Sequence, residues 1–379
     1  MESKQYNCYL CGKPLIGDDI TVEHIILNAI GGKLKSENLI CRECNSRLGD
    51  QADAVLAEDL SFFSDMLEVK KDRKSNHFQV MTDPITGIEF NVSQAGRKTS
   101  LRVPHVPTIE PGKPCRIVAK DRNHLNAILT GKLKRGEITQ SIMDQLMEHA
   151  NKSVMSTNEL GIKIDISPNA FPSIVKSAVN YYIERTHRND DIKHIIPYIK
   201  GEKDCTEVLQ RVYLIDSPYK VEQEQVTHMI HLEGHSSNKI LYALLEYFGA
   251  YTFVVILNNN YNGPDICDTY CYDVISNSEV IRDFSFSVDD AWISDFEKQF
   301  KENAVFRRDC EELFKSNINK IMKIWSKKRF DAQLSMIVSN AFKKYEKDIN
   351  LTDDMLYAIS DDICNGVVKL LALDNSIID

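Results

Sequence analysis

Four cysteines near the N-terminus carry the plainest chemical signal in this sequence. Cys8 and Cys11 form one CxxC pair and Cys41 and Cys44 a second, with 29 residues between them. Four thiolates presented in two such turns suit a closed tetrahedral Zn²⁺ site, because each CxxC can aim two sulfurs at one ion. With every position taken by sulfur, that ion has no place for substrate or activated water, so its role is structural and any chemistry must lie elsewhere. A redox role would call for a single motif beside a βαβ unit, and that unit is absent here. The other six of the ten cysteines are scattered singly, which fits metal in a reducing compartment better than a disulfide framework. Cys267 and Cys271 read as ordinary buried thiols.

Within and after the cysteine loop run Thr-Val-Glu-His-Ile-Ile-Leu-Asn-Ala-Ile-Gly-Gly, from Thr21 to Gly32, and Ser-Glu-Asn-Leu-Ile-Cys-Arg-Glu-Cys-Asn-Ser-Arg-Leu-Gly, from Ser36 to Gly49. Glu23, His24, Ile25, Gly31, Gly32, Asn38, Leu39, Cys41, Cys44, Asn45, Arg47 and Gly49 stand in step with an acid-His-Ile pair, a Gly-Gly turn, an Asn-Leu and a Cys-x-x-Cys-Asn followed by a basic residue and Gly. In this the segment resembles the HNH endonucleases of the type that carries a zinc-binding cysteine quartet. The resemblance covers about 50 of 379 residues. It departs from the commonest pattern in Glu23 where Asp is more frequent, in Leu27 where Pro is usual, and in Asn45 where His is the third letter.

The resemblance implies a ββα-metal module and gives each residue a role. Hydrolysis of a phosphodiester needs a base to deprotonate water and a cation to neutralise developing charge. His24 is the natural base, since imidazole titrates near neutrality. Glu23 and Asn45 would hold one divalent ion, Mg²⁺ or Mn²⁺ by the hardness of oxygen ligands. Asn38 would accept a hydrogen bond from the other ring nitrogen of His24, and Arg47 would touch phosphate. The zinc would bring Glu23 and His24 to Asn45, 21 positions beyond the histidine.

Other elements must position this module. The 29-residue insert is expected to form a β-hairpin. From Gln51 to about Lys74 the apolar residues fall at helical spacing, with Leu56, Leu60, Phe63 and Leu67 on one stripe, and predict an exit helix. FQVM, IEFNV, SLRV and CRIVAK read as a small antiparallel sheet broken by the turns DPITG and EPGKP. ITQSIMDQLMEHA and FPSIVKSAVNYYIERTH read as helices. VYLI, VTHMIHLEG, YTFVVILN and TYCYDVI read as strands, with a helix SNKILYALLEYFG between the second and third and a turn-rich loop at 258–265. Ser236 to Lys239 would open that helix. His228, His231 and His235 sit on a strand with one wet face rather than on a metal-binding helix. From about Asp289 onward the pattern is helical. The expected fold is α+β, with an HNH module and exit helix at 1–75, an α+β recognition or regulatory region at 76–288 and a helical region at 289–379.

A net charge of −9 has the wrong sign for a protein coated in nucleic acid, whose binding is driven by Lys and Arg. Local basic surface must therefore serve. Between Lys315 and Lys347 nine Lys or Arg face two acids, and Lys327, Lys328 and Arg329 are the candidates for contact there. No stretch approaches the ~18 to 20 apolar residues of a membrane span, and a cytoplasmic protein without a membrane partner is expected. The sequence thus points to a metal-dependent endonuclease, on DNA ahead of RNA, in bacterial restriction or anti-phage defence. A homodimer, and gating by a nucleotide signal or partner protein, stay open. So does a non-catalytic zinc protein that only binds nucleic acid.

Overall fold

In the computed structural model, residues 6–374 are described apart from 73–77, 86, 94–97, 103–116, 120, 151–160, 162–163, 216–218, 220–221, 223, 285–289 and 346–349. In chain order, the elements begin with β1 (Glu23–His24), β2 (Lys35–Ser36), α1 (Arg42–Gly49), α2 (Ala52–Asp59) and α3 (Ser61–Met66). Then come β3 (Gln79–Thr82), β4 (Glu89–Ser93), β5 (Lys98–Leu101), α4 (Arg122–Lys134) and α5 (Gln140–Glu148). The chain continues with α6 (Phe171–Thr186), α7 (Ile196–Ile199), β6 (Leu209–Val212), β7 (Thr227–His235), β8 (Ile240–Tyr247), β9 (Tyr251–Asn258), β10 (Ile266–Asp273) and β11 (Ser278–Glu279). It ends with α8 (Asp290–Glu302), α9 (Ala304–Lys343) and α10 (Asp353–Asp374). Helix and strand are mixed throughout, as the α+β reading expects.

Two compact units result, residues 1–75 with 164–328 and residues 76–163 with 329–379. They interleave along the chain, whereas the sequence reading divides it into consecutive segments. In the second unit β3, β4 and β5 form an antiparallel meander. Asp121 caps α4 and Thr139 caps α5 by accepting backbone N–H groups, which satisfies donors left over in a first helical turn. A Cβ on Gly366 would come within 2.5 Å of Ile337, so the glycine lets α10 pack closely on the later part of α9. Half of the strand expected at CRIVAK (Cys115, Arg116 and Lys120), and the turn EPGKP before it, lie outside the described residues.

The first unit is built on a six-stranded antiparallel sheet ordered β11-β10-β7-β8-β9-β6. Its two faces are both covered. Met229, Tyr242, Leu244, Val254 and Cys271 pack on one face with Phe296 of α8. On the other, Phe253 meets Phe171 of α6 edge-on, and Phe63 of α3 meets Phe248 and Tyr251. Every residue of β8 is buried. That is why SNKILYALLEYFG, expected as a helix, is a strand: a strand buried on both faces loses its alternation and reads as a continuous apolar run. Ser236 to Lys239 accordingly do not open a helix; they form the turn joining β7 to β8, with Lys239 at φ 56°.

Smaller departures have local causes. The single exit helix is instead α2 and α3, broken at Leu60, though Leu56, Leu60, Phe63 and Leu67 all face inward as the stripe requires. The strand read at VYLI lies earlier, at Leu209–Val212. Cys271 is buried, but Cys267 is exposed at the start of β10. Among the described residues no helix is long and apolar enough to cross a membrane.

Candidate active site

The cysteine-rich start folds as a knuckle. Cys8 N–H donates to Lys13 O and Gly12 N–H to Cys8 O, with Gly12 at φ 79°, a conformation that costs glycine nothing. Tyr9 N–H donates to Leu39 O, which draws the knuckle onto the segment entering α1. Cys41 stands at the N-cap of α1 and Cys44 in its first turn. The four sulfurs lie within 4.8 Å of one another, and Cys11 Sγ and Cys41 Sγ are 3.7 Å apart. Sulfurs about 2.3 Å from a common tetrahedral ion would be separated by about 3.8 Å, so the quartet fits zinc. Burial, and then Cys8 beside it, push the Cys44 thiol far above its ordinary value. Such a cluster needs an ion's charge to become a set of thiolates. Among the described residues it is the sole group of three or more His, Cys, Asp or Glu arranged to share an ion.

The insert between the pairs forms the expected hairpin, Glu23 opposite Ser36 and His24 opposite Lys35. At its tip, Gly31 adopts φ 101° and Gly32 N–H donates to Leu27 O. A Cβ on Gly32 would lie 1.9 Å from Ile26 O, so only glycine allows the chain to double back so tightly. Ile30 O then accepts from His228 Nε2 on β7 at 2.9 Å. This ties the hairpin to the sheet.

A cleft of about 350 Å³ opens between hairpin and helices, lined among others by Glu23, His24, Asn28, Asn45 and Asp53. His24 is half-buried, and its Nε2 faces Asp72 Oδ2 at 3.3 Å. Burial holds its imidazole below the ordinary 6.5, with Asp72 pulling the other way. Asp72 is itself fixed by Lys33 Nζ at 3.3 Å and by its backbone N–H donating to Asn28 Oδ1 at 2.8 Å. Asn45 Nδ2 donates to Thr21 Oγ1 at 3.0 Å, leaving Oδ1 as the atom it can offer a cation.

Glu23 is 4% exposed and deeply engaged. Its Oε1 accepts from Lys176 Nζ at 2.6 Å and from Asn180 Nδ2 at 3.2 Å, both on α6. Lys176 also donates to Asp53 Oδ2 at 2.5 Å. Burial pushes the Glu23 carboxyl up while the ammonium pulls it back; Lys176 stays charged because its two carboxylates outweigh the burial that would discharge it.

The expected site residues are thus distributed as follows. Glu23, His24 and Asn45 share the cleft. Asn38 does not bond the His24 ring: its backbone N–H donates to Ser36 Oγ, and Asp72 takes the ring nitrogen instead. Arg47 is exposed in the last turn of α1. Lys327 pairs with Glu224 at 2.8 Å, and Lys328 Nζ donates to Leu67 O at the end of α3, where a cation suits the helix dipole. Arg329 is half-buried and belongs to the second unit. His231 stacks on Phe284 and accepts or donates to Thr269, and His235 meets Glu233 at 2.7 Å, contacts of a packed strand face.

Asp53, Asp72, Lys176 and Asn180 were not foreseen. Asp53 had a signal, since it precedes Leu56, Leu60 and Phe63 on one apolar stripe. Lys176 had one too, as a lone charge within Ile-Val-Lys-Ser-Ala-Val.

The start of the chain thus combines a short hairpin, a helix and a cysteine quartet beside a cleft that Glu23, His24 and Asn45 line. Consistent with it, residues 8–61 match the family model described as HNH endonuclease. No curated protein and no solved structure matches the chain.

Proposed function

We propose that the protein is a metal-dependent endonuclease that hydrolyses DNA phosphodiester bonds, with His24 as general base. The observation that carries this reading is the convergence of Glu23, His24 and Asn45 on one cleft. The Asp72 carboxylate can only accept, so the ring proton sits on Nε2 and Nδ1 keeps the lone pair that a nucleophilic water needs. An imidazole held below its ordinary value is in this basic form at neutral pH. Glu23 and Asn45 would hold one Mg²⁺ or Mn²⁺, whose charge, when bound, offsets that of the attacked phosphate. Their donor set fits: a carboxylate and an amide oxygen are hard ligands beside an open cleft. The Asn38 backbone N–H donates to Ser36 Oγ before α1, and Arg47, Lys327, Lys328 and Arg329 remain candidate phosphate contacts.

Restriction or anti-phage defence in the cytoplasm is the setting we favour, with the residues beyond the module selecting the target. The competing zinc protein that only binds nucleic acid gives no reason for Glu23, His24 and Asn45 to share a cleft. Purified protein with Mg²⁺ or Mn²⁺, incubated with supercoiled plasmid and with labelled RNA beside His24→Ala, decides the matter. DNA cleavage that falls at least about 100-fold in the variant, at unchanged zinc content, is expected; equal cutting by both proteins would refute the assignment of the base.

A further inference from the structure

The cleft contains more charge than its two expected ion ligands. Glu23, Asp53 and Lys176 form a contiguous buried triad, Lys176 being 1% exposed and 2.6 Å and 2.5 Å from the two carboxylates. The remaining partners are neutral donors: Ser173 Oγ to Asp53 Oδ1 at 2.5 Å, and Asn180 Nδ2 to Glu23 Oε1 at 3.2 Å. Asn180 is in turn fixed by the Tyr9 hydroxyl, which donates to its Oδ1 at 2.8 Å. Among the described residues Lys176 is the one cation paired with either acid, so two carboxylates and one ammonium give the triad a formal charge of −1. The N-terminus of α2, in whose first turn Asp53 stands, offsets part of this charge, yet a triad serving packing alone would be expected to close nearer zero. This one instead borders an open cleft that Asp53 and Glu23 both line.

We propose that Glu23, Asp53 and Lys176 together form a charge-set seat for the divalent ion, Asp53 and Lys176 acting as positioning residues that hold the seat at −1. The inference rests on the nuclease reading above and extends it to residues of α2 and α6. The charge balance gives the seat its use. A divalent ion on a seat of −1 leaves +1, which matches one phosphodiester; on a seat of −2 nothing would remain to draw the phosphate in, and on a neutral seat the ion itself would be weakly held. Lys176 also binds Glu23 Oε1, which fixes the carboxylate while leaving its other oxygen for the ion.

The test changes the seat charge and then restores it. Full-length, zinc-loaded protein is titrated with Mn²⁺, free Mn²⁺ being read by electron paramagnetic resonance, and the Mn²⁺ concentration giving half-maximal plasmid cleavage is measured in parallel. Asp53→Asn, which brings the seat to zero, is expected to weaken Mn²⁺ binding at least about tenfold. The double variant Asp53→Asn with Lys176→Met returns the seat to −1 and is expected to recover to within about threefold of wild type. Asp53→Ser makes the same charge change if the Asn variant does not fold. A double variant that binds Mn²⁺ no better than the single one, or a single variant that binds like wild type, overturns the seat, and the nuclease reading then stands or falls on wild-type cleavage alone. Conversely, the expected binding pattern in a protein that cuts neither plasmid nor RNA supports the seat and removes the reading as a nuclease active without a partner or signal. Wild type that binds no Mn²⁺ overturns the seat outright.

Discussion

His228 shows how one side chain can hold the hairpin of the candidate site from the core. Phe248 N–H can only donate, and it points to Nδ1 at 3.4 Å, so the proton sits on Nε2 and is donated to Ile30 O. Burial pushes this imidazole down to about 4. A histidine whose folded value lies below its unfolded 6.5 stabilises fully above about pH 6.5, and loses that contribution as pH falls toward 4, because the unfolded chain then binds the extra proton. The loss amounts to about 3 kcal/mol between those limits. Urea unfolding at pH 7.5 and pH 5 should therefore show a lower midpoint in acid, and His228→Leu should lower stability at pH 7.5 yet flatten that dependence; an equally steep dependence in the variant would point to other groups. At the same scale, Asp72→Asn should reduce cleavage about 10- to 100-fold with zinc content unchanged, since it loosens the hold on the His24 ring rather than removing the base.

At the scale of elements, two short strands of two residues each could not persist on their own hydrogen bonds. The cysteine quartet, which fits zinc, stands at their base and glycine at their tip. Cys41→Ser should abolish stoichiometric zinc, measured by atomic spectroscopy, and lower the thermal midpoint, because the ion's binding energy is folding energy for this segment. Gly32→Ala should destabilise by about 2 kcal/mol or more in denaturant unfolding, since its Cβ would press on the Ile26 carbonyl, a backbone atom with nowhere to go. A loss under about 0.5 kcal/mol would show that the hairpin relaxes more freely than its geometry implies.

The whole first unit is needed to complete what its opening residues begin. Ile25, Ile30 and Phe63 are fully buried, and Phe63 is covered by Tyr251 of β9 and by Phe248 in the turn before it. Glu23 is held by α6 and Ile30 by β7. Residues 1–75 expressed alone should still take up zinc but bind an apolar dye such as ANS strongly, whereas the full chain does not. A fragment that is monomeric, dye-silent and active would show that the module is autonomous.

The sequence by itself determined which residues at the start of the chain are equipped for chemistry. The cysteine pairs, Glu23, His24 and Asn45 are legible because their meaning lies in residue type and short spacing, and a metal site demands both. It also determined most helices, where 3.6-residue periodicity faces a single core. Only the tertiary structure decided that residues 240–247 are a strand, since burial on both faces erases the period that separates strand from helix. It alone decided that Asp72, rather than Asn38, meets the His24 ring, and that Lys176 reaches Glu23 across 153 positions. Such pairings are set by how α6 and the segment after α3 meet the hairpin, and local spacing carries no record of that.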